Sequence, residues 1–369
     1  MIKVQYLSLT NTTESGAPHT HVHEIIAGLR RRGVLVTLFE PPPNTGLMRK
    51  LLGFARTQLR MWRNTGNADL IYVRCHPAAV LTALWAKLTG HLMVYELNGP
   101  PTQIFVSYKA LSWFRPILEP VLYLPLKLAV RIIAVTPQLG RWIRENMGID
   151  RVSVIVNGAN TDLFHPDAAG PPGHCGRYAL FFGVLAPWQG IDTLLAAARH
   201  PSWPRDVRLV IAGEGALRSQ LEALGPGDPV TYLGGVPYSQ VPGLLAASLC
   251  SLIPKNNVGN RGETGWAPLK LFESLAAACP VVVTDIPLLA DIVRENQCGI
   301  VIPRADPGAL ASSVAMLASD PAVAKEMGCR GRKAALAEHS WDRKAEQTLT
   351  VLREVLEAQT VQDSGTHCH

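Results

Sequence analysis

The chain has 369 residues, enough for two domains of about 150–200 residues each. Apolar residues make up 47% and charged residues 17%, the balance of a soluble globular protein, and no run of about 18 uninterrupted apolar residues is present to cross a bilayer. Net charge is +6 and uneven: residues 1–165 hold 18 Lys+Arg against 9 Asp+Glu, and residues 166–369 hold 17 against 20. The basic part suits an anionic membrane surface or a phosphate-bearing acceptor. No nucleic-acid-binding motif accompanies it, so no nucleic-acid partner is expected.

In chain order, Ile2–Leu9 reads as a first strand that follows directly on the N-terminus, with none of the blocks of a signal peptide. That start, with seven scattered cysteines and no CxxC pair, predicts a cytosolic protein with reduced thiols. A polar loop leads to a helix from about Pro18 to Arg32, ending at Gly33, and Val34–Phe39 is the second strand. This unit opens a doubly wound parallel sheet. Gly16 is the only glycine in the loop, so the dinucleotide fingerprint GxGxxG is absent, which argues against an NAD enzyme. The histidines His19, His21 and His23 are dense, but only the first and last share a helical face, and no metal site is expected.

Leu47–Arg63 is basic and amphipathic, a helix that either lies on an anionic bilayer or packs in the first domain. Strands follow at Leu70–Val73 and Leu92–Leu97, with a helix near Ala78–Leu88 between them. Ile104–Ala129, rich in aromatics and proline, is a floor for an apolar acceptor or a core-packing segment. Ile132–Val135 and Val152–Val156 close the first set of strands, and the Pro/Gly-rich stretch 167–177 reads as a linker and hinge. The second part repeats the pattern with strands near Ala179–Phe182, Arg208–Ala212, Val230–Leu233, Leu249–Ile253, Val281–Thr284 and Gly299–Ile302.

Within it, GETGWAPLKLFESLAAACP (Gly262–Pro280) is a loop opening into a helix. Pro268 falls at the expected first helical position, and Leu269, Leu271, Phe272, Leu275 and Ala276 form an apolar face. The orphan N–H groups and dipole of such a helix start attract phosphate. Glu273, one turn in, is placed to accept hydrogen bonds from a sugar diol, so the stretch suggests a nucleotide ligand; the alternative is an ordinary helix with a surface Glu. Trp341–Ala358 is a final amphipathic helix, and residues 359–369 read as a disordered tail. The domains expected are therefore 1–166, 167–340, a helix at 341–358 that crosses back to the first domain, and the tail.

Six stretches resemble the retaining glycosyltransferases of family 4, in that family's order and spacing. They are VIVNGANTDLFHP (Val154–Pro166), FFGVLAPWQGIDTLLAAA (Phe181–Ala198), LVIAGEGALRSQLEAL (Leu209–Leu224), VTYLGGVPYSQVPGLLAAS (Val230–Ser248), PLKLFESLAAACPVVVTD (Pro268–Asp285) and GIVIPRADPGALASSV (Gly299–Val314). The first part of the chain is similar more loosely, through Gly16 before a helix and the strand end VYELNGP. The resemblance implies an α/β protein of GT-B architecture, two Rossmann-like domains facing across an inter-domain cleft. It implies metal-independent transfer of a sugar, with retention, from a nucleotide-diphosphate donor, UDP-sugar favoured. No cofactor is implied beyond that co-substrate. The acceptor would belong to glycoconjugate, polysaccharide or glycolipid synthesis, with lipid linkage a natural form, at the cytoplasmic face of a membrane contacted through 47–63. A catalytically degenerate sugar-nucleotide-binding homologue and a non-hydrolysing sugar-nucleotide epimerase are the alternatives.

Carried over residue by residue, the second Glu of the family's Glu-x7-Glu motif is Glu273, the ribose ligand, but the first falls on Gly265. The Arg and Lys of the loop after the first strand of the second domain fall on Val184 and Gln189, in a loop that keeps Gly183. A replacement cation is therefore required, and Lys270, Lys255 and Arg261 are the candidates, with Pro268, Leu269 and Lys270 opening the phosphate seat. Gly16 would let backbone approach the diphosphate, and Gly235 and Val236 lie where the base is held. The His that ends the VYELNGP strand in many members is Asn98 here, with Glu96 on the same strand face. Glu96, Asn98 and Lys270 are the catalytic candidates, Glu96 either orienting the acceptor, taking its proton or serving a structural role. His76 is an acceptor-side candidate or a structural histidine.

Overall fold

In the computed structural model, which describes residues 1–12, 16–43, 46–170, 176–225, 227–256 and 264–365, the short apolar runs all become parallel strands. β1 (Lys3–Leu7) leads through α1 (Ala17–Arg31), β2 (Leu35–Phe39), α2 (Leu47–Arg63), β3 (Leu70–Arg74) and α3 (Val80–Thr89) to β4 (Met93–Leu97). The proline-rich stretch then breaks into α4 (Gln103–Ser107), a 3-10 turn at Lys109–Phe114, α5 (Arg115–Leu122) and α6 (Leu124–Leu128). Three prolines, Pro116, Pro120 and Pro125, each lack the N–H that a longer helix needs. β5 (Arg131–Ala134), α7 (Pro137–Met147) and β6 (Val152–Val154) complete this part. α7 shows why it starts and stops: the Thr136 hydroxyl accepts from the Leu139 N–H, Pro137 follows, and Gly148 ends it at φ 62.

The first sheet has the order β2-β1-β3-β4-β5-β6. Right-handed crossovers place α1 on one face and α2, α3, α6 and α7 on the other, because the chain reverses direction after β2. Under that second face lies a core that includes Leu7, Met61, Ile71, Ala83, Leu126 and Ile143.

The second sheet, β12-β11-β10-β7-β8-β9, repeats the design. Its elements are β7 (Arg177–Phe182), α8 (Ile191–Ala198), β8 (Val207–Ala212), α9 (Arg218–Glu222), β9 (Val230–Gly234), α10 (Val241–Ala246) and β10 (Cys250–Ile253). They continue with α11 (Leu269–Ala276), β11 (Val281–Thr284), α12 (Leu289–Asn296), β12 (Gly299–Ile302), α13 (Pro307–Ser319) and α14 (Pro321–Ala337). Phe181, Leu194, Leu209, Leu252 and Val282 sit at the centre of its core. The last helix is α15 (Trp341–Gly365).

The chain divides into two compact units between Val156 and Asn157, and α15 from Asp342 onward belongs with the first. The sequence places this boundary after Pro166; the difference has a physical cause. Asn157 Nδ2 donates to the Ala267 carbonyl at 2.7 Å, and Arg332 Nη1 donates to the carbonyls of Thr161 and Phe164, so 157–164 is fastened to the second unit. The expected linker, 167–177, includes 171–175, which lie outside the described residues. Of the expected disordered tail, 359–365 is helical, since no proline or glycine interrupts the chain before Gly365 and α15 runs to that residue; 366–369 lie outside the described residues. Within the first unit, Arg32 holds Asp342 of α15 at 2.6 Å.

Candidate active site

The second unit gathers the candidate donor-site side chains at the carboxyl ends of β7 and β10, where doubly wound sheets carry ligands. β7 ends at Phe182, and Gly183 turns the chain at φ 123. A Cβ at Gly183 would lie 3.1 Å from Lys270 Nζ, so the glycine is what allows the lysine to run along this turn. Lys270, in the first turn of α11, is buried; its ammonium lies 4.0 Å from the Phe181 ring centroid and 3.3 Å from Gln189 Oε1. Lys255, just past β10, is buried as well, 4.1 Å from the Trp266 ring centroid and 3.1 Å from the same Gln189 oxygen. Two ammonium groups thus converge on one neutral carbonyl. Burial pushes the Lys270 pKa down to about 7, against the pull of Glu273.

Glu273 follows one turn on. It is buried, not a surface residue, and Tyr238 donates its hydroxyl to Oε1 at 2.6 Å. Burial pushes its pKa up to about 7, opposed by the Tyr238 hydrogen bond and by Lys270. α11 is itself held rigidly. Ser274 bonds Ser251 of β10 at 2.8 Å, and Arg332 donates to the Ala276 carbonyl at the C-terminal end. At the other end Pro268 is the N-cap residue rather than the first helical one, because its ψ of 133° is extended, and no side chain caps the helix start. Leu269 is half-buried beside it.

The sites left empty by the family pattern also acquire a physical account. Gly265 has φ 71, a left-handed conformation in which a Glu would be strained by roughly 1–2 kcal/mol. Val184 is 58% exposed, so an Arg there would extend from the surface, whereas Gln189 is buried and already joins the two lysines. Gly235 is corrected in one respect: its N–H donates to Glu214 Oε1 at 3.0 Å and is committed. Val236 beside it is half-buried, as a wall would be. Arg261 lies outside the described residues.

In the first unit, Glu96 at the end of β4 is 1% exposed and takes four partners. His21 Nε2 lies 2.8 Å and the Tyr72 hydroxyl 2.6 Å from Oε2; Arg74 Nη1 lies 3.0 Å and Asn98 Nδ2 2.9 Å from Oε1. Burial raises the carboxyl pKa, but His21, Arg74 and Tyr72 override it and hold the group well below the ordinary carboxylate range. A carboxylate so satisfied is a poor proton acceptor, and of the roles open to Glu96 this geometry favours the orienting or structural one. Asn98 is accordingly tied to Glu96. His76 is a capping group, its Nδ1 accepting the Ala78 N–H at 3.2 Å and its ring edge-on to Phe54; burial pushes its pKa down to about 4. Gly16 is the N-cap of α1 at φ 153, backbone that only glycine adopts readily. His19 and His23 pair ring to ring at 4.3 Å, while His21 turns to Glu96.

Tyr238, Tyr72 and Arg74 escape sequence reading, and His21 is read there only as a member of a dense histidine cluster, not as a partner of Glu96. Arg74, a lone cation ending an apolar strand, leaves a trace. Tyr238 carries no signal before the fold brings it to Glu273.

Two family profiles divide the chain: "Glycosyltransferase Family 4" matches residues 19–163 and "Glycosyl transferases group 1" matches residues 173–334. The chain belongs to the group 1 glycosyltransferases. This glycosyltransferase is similar along its length to the phosphatidyl-myo-inositol mannosyltransferase of Mycobacterium leprae, 28% identical, with 92% of this chain and 93% of the relative covered. Its fold is GT-B. The sucrose-phosphate synthase of Thermosynechococcus elongatus superposes with a TM-score of 0.78 at 19% identity, covering 97% of this chain and all of the other. Anabaena HepE, solved with UDP and glucose, superposes at 0.71 and 18% identity, covering 96% of this chain and 100% of HepE. No helix among the described residues of the enzyme is long and apolar enough to cross a membrane.

Proposed function

We propose that this enzyme transfers a sugar, with retention at the anomeric carbon and without a metal, from a UDP-sugar to an acceptor in glycolipid or polysaccharide synthesis. The observation that carries the reading is the convergence of Lys255 and Lys270 on Gln189 beside the uncapped start of α11. As the bond from the anomeric carbon to the β-phosphate breaks, negative charge develops on the leaving diphosphate. Two buried ammonium groups and a helix N-terminus are suited to stabilise it. The lysines stand in for the cations absent at Val184 and Gln189. Glu273, with one oxygen held by Tyr238, keeps the other for the ribose diol. UDP is favoured because HepE was solved with it, and a lipid acceptor because the mycobacterial relative is named for one. Glu96, Asn98 and His76 are assigned to the acceptor side, as positioning groups. α2 is proposed to rest on an anionic membrane surface, since its five Lys or Arg residues have no acid among them.

The direct test is release of UDP from UDP-sugars by the wild-type enzyme and by Glu273→Ala. Turnover by the wild type and a loss of at least tenfold in the variant are expected; equal rates would remove Glu273 from the donor site. Gly183→Ala should place its methyl against Lys270 and weaken UDP binding about tenfold, read by calorimetry.

The paired pKa shifts give a proton signature. Above pH 7 the free enzyme holds Lys270 largely neutral, and a bound diphosphate recharges it, so UDP binding takes up protons. Below pH 7 Glu273 is largely protonated, and hydrogen bonds from the ribose ionise it, so binding releases protons. Calorimetry in buffers of different ionisation enthalpy should show the sign change near pH 7. Stability follows the same groups. Between the ordinary carboxylate value and 7 the native state binds the extra proton at Glu273, so stability falls as pH rises. Between 7 and the ordinary lysine value it binds fewer at Lys270, so stability rises, and the pair contributes least near pH 7.

A further inference from the structure

Large apolar side chains are exposed on one surface of the first unit far more than elsewhere. Of the 21 exposed among the described residues, 13 lie between Leu47 and Val121. Ten of them come from α2, α3 and α5, and Tyr108, Trp113 and Phe114 from the segment that leads into α5. Leu81, Leu84 and Leu88 form a stripe on α3 at helical spacing, with Leu88 85% exposed. Trp113, in the turn before α5, is 89% exposed, and Ile117 on α5 is 71% exposed. The layer is continuous: Trp62 of α2 stacks on Trp85 of α3 at 5.5 Å, Thr82 of α3 donates to Gln58 of α2 at 2.7 Å, and α3 packs on α6, which follows α5.

Charge selects the occupant. α2, α3 and α5 together carry seven Lys or Arg and one acid, Glu119, which Arg115 neutralises at 2.7 Å. A second copy docking through this face would set the six remaining cations against six more. We propose that the whole layer is a docking platform for an anionic lipid bilayer, in which α2 supplies electrostatic attraction while Leu88, Trp113 and Ile117 enter the interfacial region. This goes beyond the α2 contact proposed above, because it assigns the apolar insertion to α3 and to the 113–121 segment. Tryptophan suits such a place, with an apolar ring and an N–H that stays wet. Charge and apolar contact together give a grip that either alone does not.

The test is flotation of the full-length enzyme with vesicles of phosphatidylcholine alone and with about one third phosphatidylglycerol. Wild type should bind only the anionic vesicles. Leu88→Ser and Trp113→Ala/Ile117→Ser should each reduce partitioning by about tenfold, with circular dichroism unchanged. The Trp113→Phe variant should lose the part of tryptophan fluorescence that brominated lipid quenches. If only Arg56→Glu/Arg60→Glu lowers binding, the α2 contact stands and the wider platform falls. If wild type ignores every vesicle, or instead forms a dimer that Ile117→Ser dissociates, the lipid assignment is overturned.

Discussion

Replacing Lys270 with methionine is expected to lower kcat/KM for a UDP-sugar by about 10²–10³-fold, most of it in kcat. Methionine keeps an unbranched stem of similar length to pack beside Phe181 and Gly183, so the change removes charge with little loss of packing. The lost interaction matters most when the diphosphate departs, because the charge on its β-phosphate is greatest then. The lysine is buried, so water does not replace it, and no described basic side chain besides Lys255 reaches Gln189. Initial rates of UDP release give the measurement. A variant within threefold of wild type would show that Lys270 does not stabilise the leaving group.

Glu96→Ala is expected to destabilise the first unit by about 3–5 kcal/mol, because it removes the buried carboxylate on which Arg74, Tyr72 and His21 converge and leaves the Arg74 charge without its ion-pair partner. For a unit of this size that is a fall of roughly 10 °C in its unfolding midpoint, read by calorimetry. Glu96→Gln should fall between, since an amide oxygen still accepts from Arg74 while the amide nitrogen cannot accept from Tyr72. The pH dependence has a definite sign. The folded carboxyl titrates below its unfolded value, so its stabilisation is complete above the ordinary carboxylate range and is lost as pH falls through the folded pKa. Wild type should therefore lose stability in acid more steeply than Glu96→Ala.

The strands were legible because each is a short apolar run between turn residues; periodicity alone does not separate such runs from buried helix, but their length and flanking turn residues do. Pro268 and the apolar face behind it located α11 to within one residue. A replacement for the missing cations was legible only as a demand: Val184 and Gln189 showed what was absent, and Lys270, Lys255 and Arg261 were the basic residues near the phosphate seat. That both reach the same oxygen depends on the parallel pairing of β10 with β7, which sequence does not encode locally. For Glu96 the sequence left an acceptor-side and a structural role open. Asn98 beside it was visible, but the other three partners come from α1 and β3, and only the fold brings them to it. The unit boundary was misplaced because Pro and Gly near 170 look like a linker, while the ties of Asn157 and Arg332 are long-range.

The most direct measurement is a crystal structure of the enzyme with UDP bound. The expected result is a β-phosphate oxygen within about 3 Å of Lys270 Nζ or Lys255 Nζ, the ribose hydroxyls on the free oxygen of Glu273, and the phosphates facing the first N–H groups of α11. A nucleotide bound elsewhere, with both lysines still turned to Gln189 and Glu273 held by Tyr238 alone, would contradict it.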